Sequence, residues 1–158
     1  IFREGHEIGC HGYSHADMRP MSRREVALEI AKMRELLPEG CRMNFLRPPG
    51  GSSSDAVEQV AGVQGLSILS WSVDPRDWAP RDAWAVERSV LQSVKDGDVI
   101  LLHDMSDSSV QAALDIVDTL LERGFTFVTA SQLARLRGTT LQAGKVYTSF
   151  PKKEEPVK

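Results

Sequence analysis

An α/β protein assembled from parallel βα units is what this sequence predicts, and three observations carry the prediction. Short apolar runs of strand length alternate along the chain with longer stretches of helical periodicity. One run, Asp98-Val99-Ile100-Leu101-Leu102, is almost continuously apolar, as in strands buried on both faces of a parallel sheet. Finally, His11 and His15, Arg47, Asp74 and Asp77, and His103 each follow the carboxyl end of a predicted strand. That edge holds the active site both in open doubly wound sheets and in (β/α) barrels, so the pattern fits either architecture.

The elements follow in order. Ile1 to His6 reads as the end of a helix stopped at Gly5, and Glu7-Ile8 as the end of a strand. Ser22 and Glu25 are spaced as a capping box, with Met21 and Val26 as its hydrophobic staple. The helix they open runs to about Leu37, with Val26, Ile30, Met33 and Leu37 on its core face, and Pro38-Glu39-Gly40 ends it. Met43 to Leu46 is a strand, and Arg47-Pro48-Pro49-Gly50-Gly51 excludes regular structure after it. A helix follows from Asp55 to Val63, capped by Ser54 or Asp55. Leu66 to Val73 is the next strand, leading into Asp74-Pro75-Arg76-Asp77-Trp78 and a helix over 82–94. After the 98–102 strand come a helix over 109–123, with Val110, Leu114, Val117 and Leu121 on one face, and a strand at Phe125–Val128. A short helix over 131–136 is the last element expected.

At 158 residues the chain suits one domain, read as residues 1–144, with a tail over 145–158 that is disordered from Pro151 onward. Net charge of -3 and a pI near 5.8 argue against nucleic acid as a partner, and 41% hydrophobic residues argue against general disorder. No apolar run approaches the roughly 20 residues that span a bilayer, and the first six residues do not form a signal peptide. Cys10 and Cys41 have no CxxC spacing, so neither a zinc site built from them nor a disulfide follows, although a single bridge is open to them.

The stretch Gly9-Cys10-His11-Gly12-Tyr13-Ser14-His15-Ala16-Asp17 pairs two imidazoles four residues apart among small and polar side chains. Across a turn, such a pair converges on one metal ion, and neutral imidazole suits zinc, cobalt, nickel or iron. A bare HxxxH is also common as an idle surface pair.

Taken together, HGYSH, RPPGG, DPRDW and ILLH resemble, in that order, the motifs of the polysaccharide deacetylase family, the NodB-homology domain of carbohydrate esterase family 4. The resemblance covers about residues 5 to 146. It implies an irregular (β/α) barrel and metal-dependent removal of acetyl groups from N-acetylglucosamine polymers, peptidoglycan or chitin-like, or from acetylated xylan. An extracellular or cell-envelope location is implied as well. By motif position His11 and His15 resemble the ligands of a divalent metal, usually zinc. Arg47 resembles the arginine holding the catalytic base, and Gly50 stands where an aromatic residue usually gives a backbone donor to the oxyanion. Asp77 resembles the carboxylate that orients the catalytic histidine, with Asp74 the alternative partner for Arg47, the two aspartates being inseparable from sequence. Trp78 and Leu101 resemble the acetyl-pocket lining, and His103 the general acid.

Two departures stand out. The family's Thr-Phe-Asp-Asp motif, source of the base and of the third, carboxylate ligand, has no counterpart, because no Asp-Asp pair occurs in the chain. The expectation is a domain without its first strand, inactive alone, that forms a homo-oligomer or exchanges a segment. Gly12 also replaces the usual Thr or Ser. Two alternatives remain: a catalytically dead glycan-binding relative, and a metal amidase or phosphodiesterase on a similar barrel.

Overall fold

The computed structural model describes residues 1–79 and 82–152, which form two compact units. The first comprises Ile1–Ser70 and Thr129–Tyr147, the second Trp71–Val128 and Thr148–Lys158. The expected parallel α/β organisation is present, as a three-stranded sheet rather than a closed ring among the described residues.

In the first unit, α1 (Arg23–Glu35) opens with the expected capping box, Ser22 accepting from the Glu25 N–H while the Glu25 carboxylate accepts from the Ser22 N–H. Val26 and Ile30 are buried on its inner face, with Met21, Met33 and Leu37 packed beside them. Strand β1 (Phe45–Leu46) pairs in parallel with β2 (Ser67–Leu69), Phe45 opposite Ser67, and β2 pairs in parallel with β3 (Val146–Tyr147), Ile68 opposite Val146. Cys10 adds a parallel bridge to Leu46. Between β1 and β2 lies α2 (Asp55–Val63), capped by Ser54. Helices α1 and α2 pack together over a core of Cys10, Met18, Leu46, Val57, Leu66 and Ile68.

Strand β3 lies in the stretch read from sequence as tail. Its entry needs Gly144, whose φ of 79° and the Glu58 carbonyl oxygen 2.7 Å from the position of a Cβ leave no room for a side chain. The reading of disorder holds no test for residues 153–158, which lie outside those described. The unit also contains α5 (Ala130–Leu136), with a capping box from Thr129 and Gln132.

In the second unit, α3 (Ala83–Ser93), capped by Asp82, packs on α4 (Asp107–Glu122), capped by Ser106. The 98–102 run makes one parallel bridge, Val73 to Ile100, rather than a full strand, and Phe125–Val128 is not a strand. No strand among the described residues pairs with that segment, and Phe127 and Val128 are exposed. On helix α4 the apolar row marked in the sequence is not the buried one. Ser109, Ala112, Ile116 and Leu120 are buried, whereas Val110, Leu114, Val117 and Leu121 face solvent.

Candidate functional site

Each unit presents polar residues at the carboxyl ends of its parallel segments. In the first, the Cys10 N–H donates to the Phe45 carbonyl at 2.8 Å and the Arg47 N–H to the Cys10 carbonyl at 2.7 Å, so His11 leaves the sheet edge beside Arg47. The Arg47 carbonyl then accepts from His11 Nδ1 at 2.7 Å. A carbonyl only accepts, which fixes the proton on Nδ1 and the lone pair on Nε2, the orientation in which a ligating histidine is held. The His15 ring stands 4.9 Å from that of His11, centroid to centroid, at 72°. His15 has φ 59°, a left-handed conformation that costs a residue with a Cβ about 1–2 kcal/mol. The loop turns through Gly12 at φ 74°.

Two neutral imidazoles this close together are the donor type that a divalent cation takes from histidine. Among the described residues no cluster of three His, Cys, Asp or Glu side chains forms. Cys10 is buried in the core, and burial, reinforced by the charge of Glu29, pushes its thiol up against the lowering effects of Gly12 and Arg34. It is a packing residue, and both cysteines are free thiols.

The Arg47 guanidinium donates through Nε to the Leu69 carbonyl at 2.9 Å and through Nη2 to the Ser70 carbonyl at 3.1 Å. Burial draws its pKa down from the ordinary value, but a guanidinium keeps its charge in water-accessible conditions. These carbonyls cap the end of β2, so sequence reasoning missed a structural duty that Arg47 performs alongside any catalytic one. Gly50 is exposed at φ 72° with open space where a Cβ would stand.

In the second unit the two aspartates separate. Asp77, only 1% exposed, accepts from the His103 N–H through Oδ2 at 2.7 Å and from His103 Nδ1 through Oδ1 at 2.8 Å. Burial pushes its carboxyl up, but the hydrogen bonds from His103 and the attraction of its imidazole outweigh this and leave it below the usual carboxylate range. The Ser109 hydroxyl, at the start of α4, donates to the Asp77 backbone carbonyl at 3.3 Å. Asp74 is exposed and accepts from the Arg76 N–H, closing its own turn. Trp78 is 61% exposed and Leu101 buried, its N–H donating to the Val73 carbonyl. The His103 side chain, 34% exposed, keeps an accessible ring beyond its carboxylate.

Sequence reasoning also missed Glu29 and Ser109. Glu29 Oε2 accepts from the N–H groups of Tyr13 and Ser14 and from the Ser14 hydroxyl. Neither residue stands in a motif; only contact across the fold identifies it.

The polysaccharide deacetylase family profile matches residues 1–69. Over 147 residues the chain is 37% identical to peptidoglycan-N-acetylglucosamine deacetylase PgdA of Listeria monocytogenes, covering 91% of this chain and 30% of the relative. It is 34% identical over 143 residues to a peptidoglycan-N-acetylglucosamine deacetylase of Bacillus cereus, covering 87% of this chain and 67% of the relative. Among solved structures, a family 4 acetyl xylan esterase from Clostridium thermocellum in complex with a cobalt ion superposes with a TM-score of 0.85 at 31% identity, covering 95% of this chain and 75% of that one. The chain therefore spans less than a third of the Listeria relative's length.

Proposed function

Since this chain belongs to the polysaccharide deacetylase family, we propose that it carries a metal-dependent hydrolase removing acetyl groups from an N-acetylglucosamine-containing polysaccharide, peptidoglycan or chitin-like, or from acetylxylan. The irregular (β/α) barrel is the architecture proposed with it. Peptidoglycan as substrate suits an extracellular or envelope location; no described helix is long and apolar enough to cross a membrane. The observation that carries the reading is the buried, ionised Asp77 holding His103 by two hydrogen bonds, because a protein that merely binds glycan has no use for an oriented acid.

His11 and His15 would hold the divalent metal, zinc or cobalt, His11 through Nε2. When bound, the metal supplies Lewis-acid polarisation of the acetyl carbonyl and a more acidic water. Arg47, whose guanidinium is held at the sheet edge by the Leu69 and Ser70 carbonyls, would anchor the carboxylate of the base. The Gly50 N–H would donate to the acetyl oxygen as negative charge builds on it. Trp78 and Leu101 would wall the acetyl methyl from water. His103 would give its Nε2 proton to the departing nitrogen as the C–N bond breaks, Asp77 stabilising the imidazolium beforehand. With acetylxylan the proton goes to an alkoxide oxygen instead.

The test is acetate release from N-acetylglucosamine oligomers and from acetylated xylo-oligomers by the complete gene product. Activity should vanish on chelation and return with zinc or cobalt. Turnover indifferent to chelation contradicts the metal role, and glycan binding without acetate release at any metal loading identifies a binding protein instead.

A further inference from the structure

Glu29 sits on α1, one residue before the fully buried Ile30, and the chemistry above gives it no part. Its single oxygen Oε2 nevertheless collects three donors, the Tyr13 N–H at 2.7 Å, the Ser14 N–H at 2.8 Å and the Ser14 hydroxyl at 3.0 Å. Burial pushes its carboxyl up, but the bonds from Ser14 and Tyr13 and the charge of Lys32 outweigh this, so it stays ionised. A solvent-facing helix glutamate would have no reason to be met by two consecutive backbone N–H groups.

The residues it grips are the middle of the link between His11 and His15. That link is bent at both ends, Gly12 at φ 74° and His15 at φ 59°, so it does not hold its shape by local preference. The fit around Gly12 is close: a Cβ there would stand 3.0 Å from Met18 Cε and 3.3 Å from Glu29 Oε2. Lys32, one turn along α1, places its Nζ 4.9 Å from the centre of the Tyr13 ring, a second contact between the same turn and the same helix. While His11 is fixed by the Arg47 carbonyl, the restraint at the other end of the link is the contact with α1.

We propose that Glu29 is the positioning residue of the histidine pair, clamping the Tyr13–Ser14 turn onto α1 so that His15 faces His11 at the spacing one divalent cation requires. The proposal rests on the metal reading for its purpose but not for its geometry. The measure for its loss is the hydrogen-bonding partner directly behind a metal ligand, whose removal typically weakens binding about 10–100-fold.

The test compares Glu29→Ala and Glu29→Gln with Ile30→Val, a neighbour on the same helix whose loss is purely one of packing. Amide exchange at Tyr13 and Ser14 and the proximity of the two imidazole rings are read by NMR without metal, and zinc affinity by calorimetry. Glu29→Ala should speed exchange at both amides by at least about tenfold, separate the rings and weaken zinc binding by about 10–100-fold, whereas Ile30→Val should do none of these. Glu29→Gln, whose amide oxygen still accepts, should recover most of the loss. Unchanged exchange in Glu29→Ala overturns the clamp, as does an equal effect from Ile30→Val or a Gln variant no better than Ala. If the parent protein takes up no zinc, the metal reading falls alone, and exchange and ring proximity still decide the clamp.

Discussion

At Asp77, burial and hydrogen bonding oppose each other, and the bonds win. A carboxylate whose folded pKa is depressed contributes stability that is fully present above its unfolded value of about 3.9 and is lost as pH falls through the folded value. The protein should therefore lose stability on acidification below about pH 4 partly through this residue. Asp77→Asn offers one acceptor oxygen to the two N–H groups of His103 and should cost about 1–3 kcal/mol at neutral pH. Urea unfolding followed from about pH 7 down to 2 checks this, since the variant's stability should also fall less steeply in acid. A parallel pH dependence in the two proteins contradicts the assignment. In turnover, Asp77→Asn should matter less once His103 is already replaced, because residues acting as one unit are not additive. The candidates His11, His15, Arg47, Asp77 and His103 were marked in the sequence because each follows a predicted strand end within a recognisable motif. Glu29 and Ser109 were not, since their partners lie 15 to 32 residues away and no local pattern marks them.

Helix α4 shows where periodicity runs out. Its sequence carries two apolar rows at helical spacing, Val110-Leu114-Val117-Leu121 and Ala112-Ile116-Leu120, and either is a plausible core face. Packing against α3 selects the second, joined by the Ser109 hydroxyl that reaches Asp77. Leu114, 57% exposed, should therefore tolerate Ser at a cost within about 0.5 kcal/mol, whereas Ile116, 2% exposed, should lose about 2–5 kcal/mol as Ala. Thermal unfolding of the two variants decides between the rows, and a larger loss from Leu114→Ser reverses the orientation of the helix. Helix α1, with one apolar row and a capping box, left no such choice. The strands were harder. Phe125–Val128 has strand composition, but a strand exists only through a neighbour, and none among the described residues pairs with it. Val146–Tyr147 has a neighbour in β2, so two residues in a tail-like context become β3.

Across the whole molecule the chemistry divides between the units, the histidine pair and Arg47 in one, Asp77 and His103 in the other. The sequence showed the α/β class and the polar carboxyl edges, because both are written in local alternation. The extent of the sheet was not legible, because it depends on pairings between distant segments. The central claim is that two kinds of group serve one reaction, metal ligands and a separate acid, and that claim makes their losses distinguishable. His103→Ala removes the acid, and His103→Asn removes it while keeping an amide donor for Asp77, so that folding and proton transfer are told apart. The decisive measurement is acetate release by the complete gene product and these variants beside His11→Ala, with zinc affinity measured on the same samples. Both His103 variants should lose about 10² to 10⁴ in turnover with zinc affinity unchanged, and His11→Ala should lose both. Near-normal turnover by His103→Asn over the whole pH range would contradict the account.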